Sequence, residues 1–273
     1  MPELPEVETI RKDLEKWIVG KTIASVQILD GRVIRQDPQL FFRRMVRKTI
    51  EAVSRRGKAI MIKFRHGQFL IVQPMMTGQL MVYRKKRQPA PDKHTKIIFS
   101  FSDGDRMFYN DQRLFGRLFC VQDLSQVPFL KSLGPEPLEA EFRLSWLGEN
   151  LRRHKMPIKS LLMNQHFIAG IGNIYACEIL FRSGIAPLRP ADSLKQKEVM
   201  VLHCMIPRVL KEAIKWRGTS MRTYLDTAGE KGQYWNRIKV YGREQERCGR
   251  CRSPIVKIVQ SGRSTFYCQT CQG

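Results

Sequence analysis

The second residue of the chain is a proline, in the run Met1-Pro2-Glu3-Leu4-Pro5-Glu6. If Met1 is removed, as is common when a small residue follows, the Pro2 nitrogen becomes a free secondary amine. An α-amino group has a pKa of about 8 against about 10.4 for a lysine, so a useful fraction is unprotonated near neutrality. Such an amine can attack an electrophilic carbon, form an iminium and drain electrons from the neighbouring C–H bond. Glu3 and Glu6 beside it are candidate acid and base groups. On these residues alone, a plain chain start without chemistry stays open.

A second pattern lies at the other end. Cys248, Cys251, Cys268 and Cys271 read C-x2-C-x16-C-x2-C. A two-residue spacer lets two thiolates reach one metal from a tight turn. The alternating segment between them carries a Ser261-Gly262 turn signal and predicts a β-hairpin that brings the pairs together. The reading is a structural zinc ribbon, with one Zn2+ on four thiolates and no open position for catalysis. Two disulfides in a secreted protein are the alternative, which the absence of a secretory h-region disfavours. Cys120, Cys177 and Cys204 are isolated in apolar surroundings and read as small core residues. The chain has no G-x-S-x-G, P-loop or H-E-x-x-H pattern, and its five histidines show no ligand spacing.

What these groups act on is indicated by charge. The 273 residues carry 48 Lys and Arg against 25 Asp and Glu, a formal charge of +23. The positive residues are scattered along the chain, eight of them from Tyr234 onward with only two Glu. Such an excess repels itself in a compact state and is most simply explained by a polyanionic partner, with nucleic acid leading. A hydrophobic content of 42% argues against disorder, and no apolar run is long enough for a membrane span.

The elements that must position these groups follow from periodicity. Val7, Ile10, Leu14, Trp17 and Ile18 have helical spacing over residues 7–18, and Gly20 ends that helix. Residues 22–121 then change to short β-rich runs, among them 59–64, 69–73, 97–101 and 118–121. Arg65-His66-Gly67 and Asp103-Gly104 supply hairpin turns. This predicts a β-sandwich or barrel preceded by one helix. Leu133-Gly-Pro-Glu-Pro-Leu138 reads as a linker, followed by helical patterns at about 145–153, 157–164, 173–183 and 192–215. The Gly170-Ile-Gly172-Asn173 turn feeds a helix N-terminus whose exposed N–H groups suit a phosphate. An ordinary helix–helix turn fits it as well. The class is α+β, with a β-sandwich domain over 1–130, a helical domain over 131–233 and a zinc ribbon over 234–273.

Pro2-Glu-Leu-Pro-Glu-Val-Glu-Thr9 together with the cysteine pattern resembles the formamidopyrimidine-DNA glycosylases. The resemblance runs the length of the chain through Arg56-Gly-Lys58, Met76-Thr-Gly78, Lys93-His94, Asn110–Gly116, Leu133–Leu138, Gly170–Tyr175 and Val240–Arg243. It implies a bacterial base-excision repair enzyme, cytoplasmic and nucleoid-associated. Such an enzyme releases oxidised purines such as 8-oxoguanine and formamidopyrimidines from duplex DNA, then cuts the strand. A monomer without membrane association is expected, and the helical domain is expected to be a helix–two-turn–helix.

The resemblance also implies roles. Pro2 would attack C1′ of the damaged nucleotide, and Glu3 would assist ring opening and base loss. Glu6 matches a carboxylate close to the nucleophile. Lys58 matches a proton donor in the elimination, and Arg263 a phosphate-binding arginine sometimes given a part in that step. Met76, Arg113 and Phe115 match a trio that fills the space left by an extruded nucleotide, although from residue type Met76 and Phe115 could equally be core. His94, Lys155, Asn173 and Tyr241 match DNA contacts. Thr219, Ser220, Arg222 and Tyr224 fall in a stretch that corresponds to a flexible lesion-recognition loop. The departures are Gln73-Pro74-Met75, Gln112 and Leu114, all near the space-filling trio, and Asn164 where Asp is frequent.

Two rivals remain at this stage. One is the related endonuclease VIII type, which prefers oxidised pyrimidines and which Leu4 argues against. The other is a non-catalytic zinc-ribbon protein that binds DNA or RNA.

Overall fold

The computed structural model describes residues 1–220 and 224–273. Arg222 therefore lies outside the described residues. The chain divides into two compact units, Met1–Lys131 with Trp216–Trp235, and Ser132–Lys215 with Asn236–Gly273.

The first unit opens with α1 (Leu4–Ile18), which starts three residues earlier than the apolar periodicity alone indicates. Pro5 sits in its first turn, where a missing N–H is harmless. The Glu6 carboxylate accepts the Glu3 backbone N–H at 2.8 Å, one arm of a capping box. Leu4, Val7, Ile10, Leu14 and Ile18 form the buried stripe. Then come β1 (Ile23–Ile28), α2 (Pro38–Met45) and seven further strands. These are β2 (Ile50–Arg56), β3 (Ala59–Phe64), β4 (Phe69–Gln73), β5 (Gly78–Tyr83), β6 (Thr95–Phe101), β7 (Arg106–Asp111) and β8 (Arg117–Val121).

The strands form two antiparallel four-stranded sheets, ordered β1-β6-β7-β5 and β2-β3-β4-β8. Their alternating inner residues, such as Ile97, Phe99 and Tyr109 from one sheet and Ile60, Ile62 and Leu70 from the other, meet in one core. This is the β-sandwich of the two expected alternatives. The β6–β7 turn is tied down by Asp105, which receives Lys21 Nζ, Arg84 Nη1 at 2.7 Å and the Lys85 N–H at 2.9 Å.

Burial alone would raise the Asp105 pKa, but Lys21, the Lys85 amide and Arg84 outweigh it and hold the carboxyl at about 2. A carboxylate with a depressed pKa adds stability above its unfolded-chain value of about 3.9, and that stability is lost as pH falls through the folded value. The stability difference between the wild type and Asp105→Asn is therefore expected to shrink from pH 4 to pH 2. Urea melts across that interval check it, and a constant difference would contradict the assignment.

The second unit holds α4 (Leu144–Leu151), α5 (Ile158–Met163), α6 (Asn173–Ser183) and α7 (Gln196–Lys215), with β9 (Val256–Gln260) and β10 (Arg263–Tyr267) as a hairpin; a short α3 (Pro128–Lys131) ends the N-terminal part of the first unit. α7 begins at Gln196 rather than 192, because Glu198 accepts the Lys195 N–H at 2.7 Å and fixes the start there. Among the described residues no helix is long and apolar enough to cross a membrane.

Two further features differ from expectation. Residues Trp216–Trp235, assigned from sequence to the helical domain up to 233 and to the zinc ribbon from 234, group with the first unit. The reason is chemical: Thr219, Tyr224 and Asp226 are buried, with hydrogen bonds that lead back to α1 or to Arg217. Cys204, read as a core residue, is exposed, whereas Cys120 and Cys177 are buried as expected. It falls on the outer face of α7, between the buried Leu202 and Ile206.

Candidate functional site

In the first unit, Pro2 and Glu3 are both buried at the mouth of α1. The Pro2 nitrogen is still acylated by Met1 here, and the same atom would be the amine once Met1 is gone. Glu6, one turn on, is buried too. Its Oε2 accepts the Glu3 N–H at 2.8 Å and its Oε1 accepts the Thr219 N–H at 2.7 Å. Both oxygens thus hold backbone amides, a geometry that suits fixing the chain end rather than shuttling protons. Tyr224 closes over the same turn, its hydroxyl 3.5 Å from the Glu6 carbonyl, and burial pushes that phenol pKa upward. Gly218 makes this approach feasible. Its φ is +78°, and a Cβ there would lie 2.6 Å from Glu6 Oε1.

Lys58 follows β2 at the turn into β3 and is half-buried. That hairpin is pinned to α1 by Arg55, whose Nε donates to Glu8 Oε2 at 3.1 Å while its Nη1 holds the Gly57 carbonyl at 2.9 Å. The sequence reading did not single out Arg55. A second cluster joins the β4–β5 and β7–β8 loops. Asp111, fully buried, accepts the Thr77 hydroxyl and the N–H groups of Arg113 at 3.2 Å and Gly116 at 2.8 Å. Its own N–H donates to the His94 carbonyl at 2.8 Å. Asp111 therefore organises these loops, its carboxylate those that carry Met76, Arg113 and Phe115 and its backbone N–H the segment of His94.

Phe115 is 48% exposed, with the Arg113 guanidinium 4.7 Å from its ring centroid. Phe115 is thus not core, and Met76 is half-buried. The two departures on the β7–β8 loop follow local logic. Gln112 points to solvent, while Leu114 adopts φ +58° and packs on the core.

In the second unit, the four predicted cysteine Sγ atoms lie within 4.8 Å of one another. Cys248 and Cys271 are 3.9 Å apart, and Cys251 and Cys268 3.4 Å. A tetrahedral zinc with Zn–S near 2.3 Å requires S···S edges of about 3.8 Å, so the set fits one zinc ion. The Arg250 N–H points at Cys248 Sγ at 3.4 Å, as knuckle amides do around a thiolate. Four thiolates complete the coordination, which makes this a structural site. The hairpin above it turns through Ser261 (φ +48°) and Gly262 (φ +70°), the two-residue turn that suits antiparallel twist. It presents Arg263 to solvent.

Beside the hairpin, Asn173 occupies the first position of α6. Its Nδ2 donates to the Ser264 carbonyl at 2.9 Å and to Tyr241 Oη at 3.3 Å, and its Oδ1 accepts Lys159 Nζ at 2.6 Å. Lys159, also buried, reaches Thr265 Oγ1 at 2.8 Å. Segment 239–241 is held from α6 by Glu178, whose carboxylate accepts the N–H groups of Lys239, Val240 and Tyr241 at 2.9, 2.9 and 3.0 Å. Burial raises the Glu178 pKa, against the pull of those three amides.

Asn173, Tyr241 and the strand of Arg263 thus meet at one helix N-terminus, a ready anion site. Lys155 lies apart from them in sequence, exposed on the α4–α5 connection. Sequence reasoning passed over Lys159, Glu178 and Asp111. A charge inside an otherwise apolar stretch, as in Tyr175-Ala-Cys-Glu178-Ile-Leu, was the available signal.

The chain is similar to known proteins over its whole length. Three family models match: the N-terminal domain of formamidopyrimidine-DNA glycosylase over residues 1–118, its H2TH domain over 133–225, and a zinc finger found in FPG and IleRS over 245–273. A formamidopyrimidine-DNA glycosylase of Lactobacillus delbrueckii subsp. bulgaricus is 44% identical, covering 100% of this chain and 99% of that one. The solved complex of Lactococcus lactis Fpg with DNA containing N7-benzyl-Fapy-dG is similar at a TM-score of 0.92 and 34% identity, over 99% of both chains. The same protein with abasic-site DNA gives 0.91 at 34% identity, again over 99% of both chains.

Proposed function

The chain belongs to the formamidopyrimidine-DNA glycosylases, and on that premise we propose that it frees oxidised purines from duplex DNA by attack of the Pro2 amine on C1′ and then cleaves the strand. The observation that carries this reading is the burial of Pro2 and Glu3 at a helix mouth fixed from both sides by Glu6.

The amine displaces the base, and the resulting iminium makes the 2′ hydrogen acidic. Loss of that proton expels the 3′ phosphate, and a second elimination expels the 5′ phosphate. Glu3 moves the proton during ring opening and base loss, Lys58 serves the elimination, and Glu6 holds the amine end in place. Extruding the nucleotide costs a few kcal/mol, which apolar wedges offset by filling the vacated stack. Phe115 beneath the Arg113 guanidinium, with Met76, supplies such a wedge. His94, Lys155, the α6 N-terminus with Asn173 and Tyr241, and Arg263 hold phosphates. Thr219, Ser220, Arg222 and Tyr224 belong to the segment that senses the lesion, and its flanks are anchored on α1 through Glu6. The zinc supplies no chemistry to the reaction; it holds the hairpin that presents Arg263. The protein acts as a monomer.

Borohydride reduction during incubation with an 8-oxoguanine oligonucleotide tests the reading. A covalent adduct is expected, and protease mapping should place it on the N-terminal peptide. Processed protein that yields no adduct would overturn it.

A further inference from the structure

Arg217 lies in the turn two residues beyond α7, with φ +58°, a backbone conformation that side chains with a Cβ disfavour. Its guanidinium lies between two carboxylates. Nη2 is 2.6 Å from Asp13 Oδ2 on α1 and 2.6 Å from Asp226 Oδ2, and Nε is 3.0 Å from the latter. Asp226 is 1% exposed, and its other oxygen accepts the N–H groups of Ala228 and Glu230, both at 2.9 Å. Thr227 Oγ1 adds a bond to Asp13 Oδ2 at 3.1 Å. Among the described residues Arg217 is the only cation on either carboxylate.

The next two residues carry this clamp to the amine end. Gly218 lies against Glu6, Thr219 donates its N–H to Glu6 Oε1, and Glu6 Oε2 receives the Glu3 N–H. The far side of the segment is closed by the Gln233 N–H on the Trp216 carbonyl at 2.9 Å and the Tyr234 N–H on the Gly218 carbonyl at 3.0 Å.

We propose that Arg217 is a positioning residue for the nucleophile: bridging Asp13 and Asp226, it sets the register in which Gly218 and Thr219 meet Glu6, and through Glu6 the placement of Glu3 and Pro2. This rests on the amine reading above for its effect on rate, but not for its effect on structure. Removing the bridge lets the 217–219 backbone relax from its left-handed turn, and Glu6 then loses its fixed partner.

The test compares Arg217→Gln, Asp13→Asn and Arg217→Lys with the wild type. Their charge changes oppose one another, since Arg217→Gln removes a positive charge and Asp13→Asn a negative one. A purely electrostatic effect on DNA affinity would therefore split them. A positioning effect lowers the single-turnover trapping rate in both by about tenfold, as expected when reacting groups are misplaced by a fraction of an ångström. Arg217→Lys, whose ammonium can still lie between the two carboxylates, should recover most of the rate.

Amide hydrogen exchange at Glu3 and Thr219 reads the same clamp without chemistry, and should speed up in Arg217→Gln and Asp13→Asn while the β-sandwich amides keep their protection. Unchanged exchange at both amides, or wild-type trapping rates in both variants, overturns the proposal. A wild type that forms no adduct while the variants show faster exchange would overturn the amine reading and leave the clamp standing.

Discussion

Protein that retains Met1 is expected to form no borohydride-trapped adduct, while processed protein from the same culture forms one. An acylated Pro2 nitrogen is an amide whose lone pair is delocalised into the carbonyl, so it cannot add to C1′. Intact mass separates the two populations, and the fraction of adduct should equal the processed fraction. Glu3→Gln removes the acid/base group but leaves the amine. General acid–base groups contribute about 10²- to 10⁴-fold, so base release should fall by that order while DNA binding persists. Pro2→Gly replaces the secondary amine with a primary one on a freer backbone, and its adduct should form more slowly. Adduct formation equal in Met1-retaining, Glu3→Gln and wild-type protein would place the nucleophile elsewhere.

Loss of the zinc should be equally severe, by a different route. Binding of a structural zinc contributes about 10–16 kcal/mol of apparent folding free energy in small Cys-rich modules, and an isolated two-stranded hairpin is marginal by itself. Cys248 and Cys268 are fully buried beside Cys177, Phe181, Ile255 and Phe266, so unligated thiols would loosen that whole cluster. The same hairpin supplies Ser264 and Thr265 to the network around Asn173 and Lys159. Cys268→Ser or exhaustive chelation is therefore expected to abolish measurable DNA binding. The β-sandwich, which has its own core, should keep its melting transition. Chelated protein that binds DNA like the untreated protein would show that the ribbon is dispensable.

Much of the molecule could be read before any coordinate. The C-x2-C spacing and the Ser261-Gly262 turn are local: a thiolate pair and a two-residue hairpin each have few conformations open to them. The strands at 59–64 and 69–73 and the helix at 173–183 were legible for the same reason, since periodicity records which face a segment buries. The proposal of an amine at Pro2 rests on covalent chemistry and position alone. The excess of 48 basic over 25 acidic residues likewise required no fold to imply a polyanion.

Other features were decided only by tertiary contact. Nothing near Trp216–Trp235 in sequence says that this stretch leaves the helices around it, because its partners, Glu6 and Asp13, are more than 200 residues away. Cys204 looked like a core residue until α7 turned it outward. Asp111, Lys159 and Glu178 are charges that the composition counts as surface, yet each is buried and bonded to residues distant in sequence: Thr77 for Asp111, Thr265 for Lys159 and segment 239–241 for Glu178. Burying a charge is tolerable only when it is well paired or hydrogen-bonded, and those partners exist only once the chain has closed. The four metal ligands and the excess of charge could be read from the chain itself, whereas the buried charges that brace the surrounding loops and helix end were settled by folding.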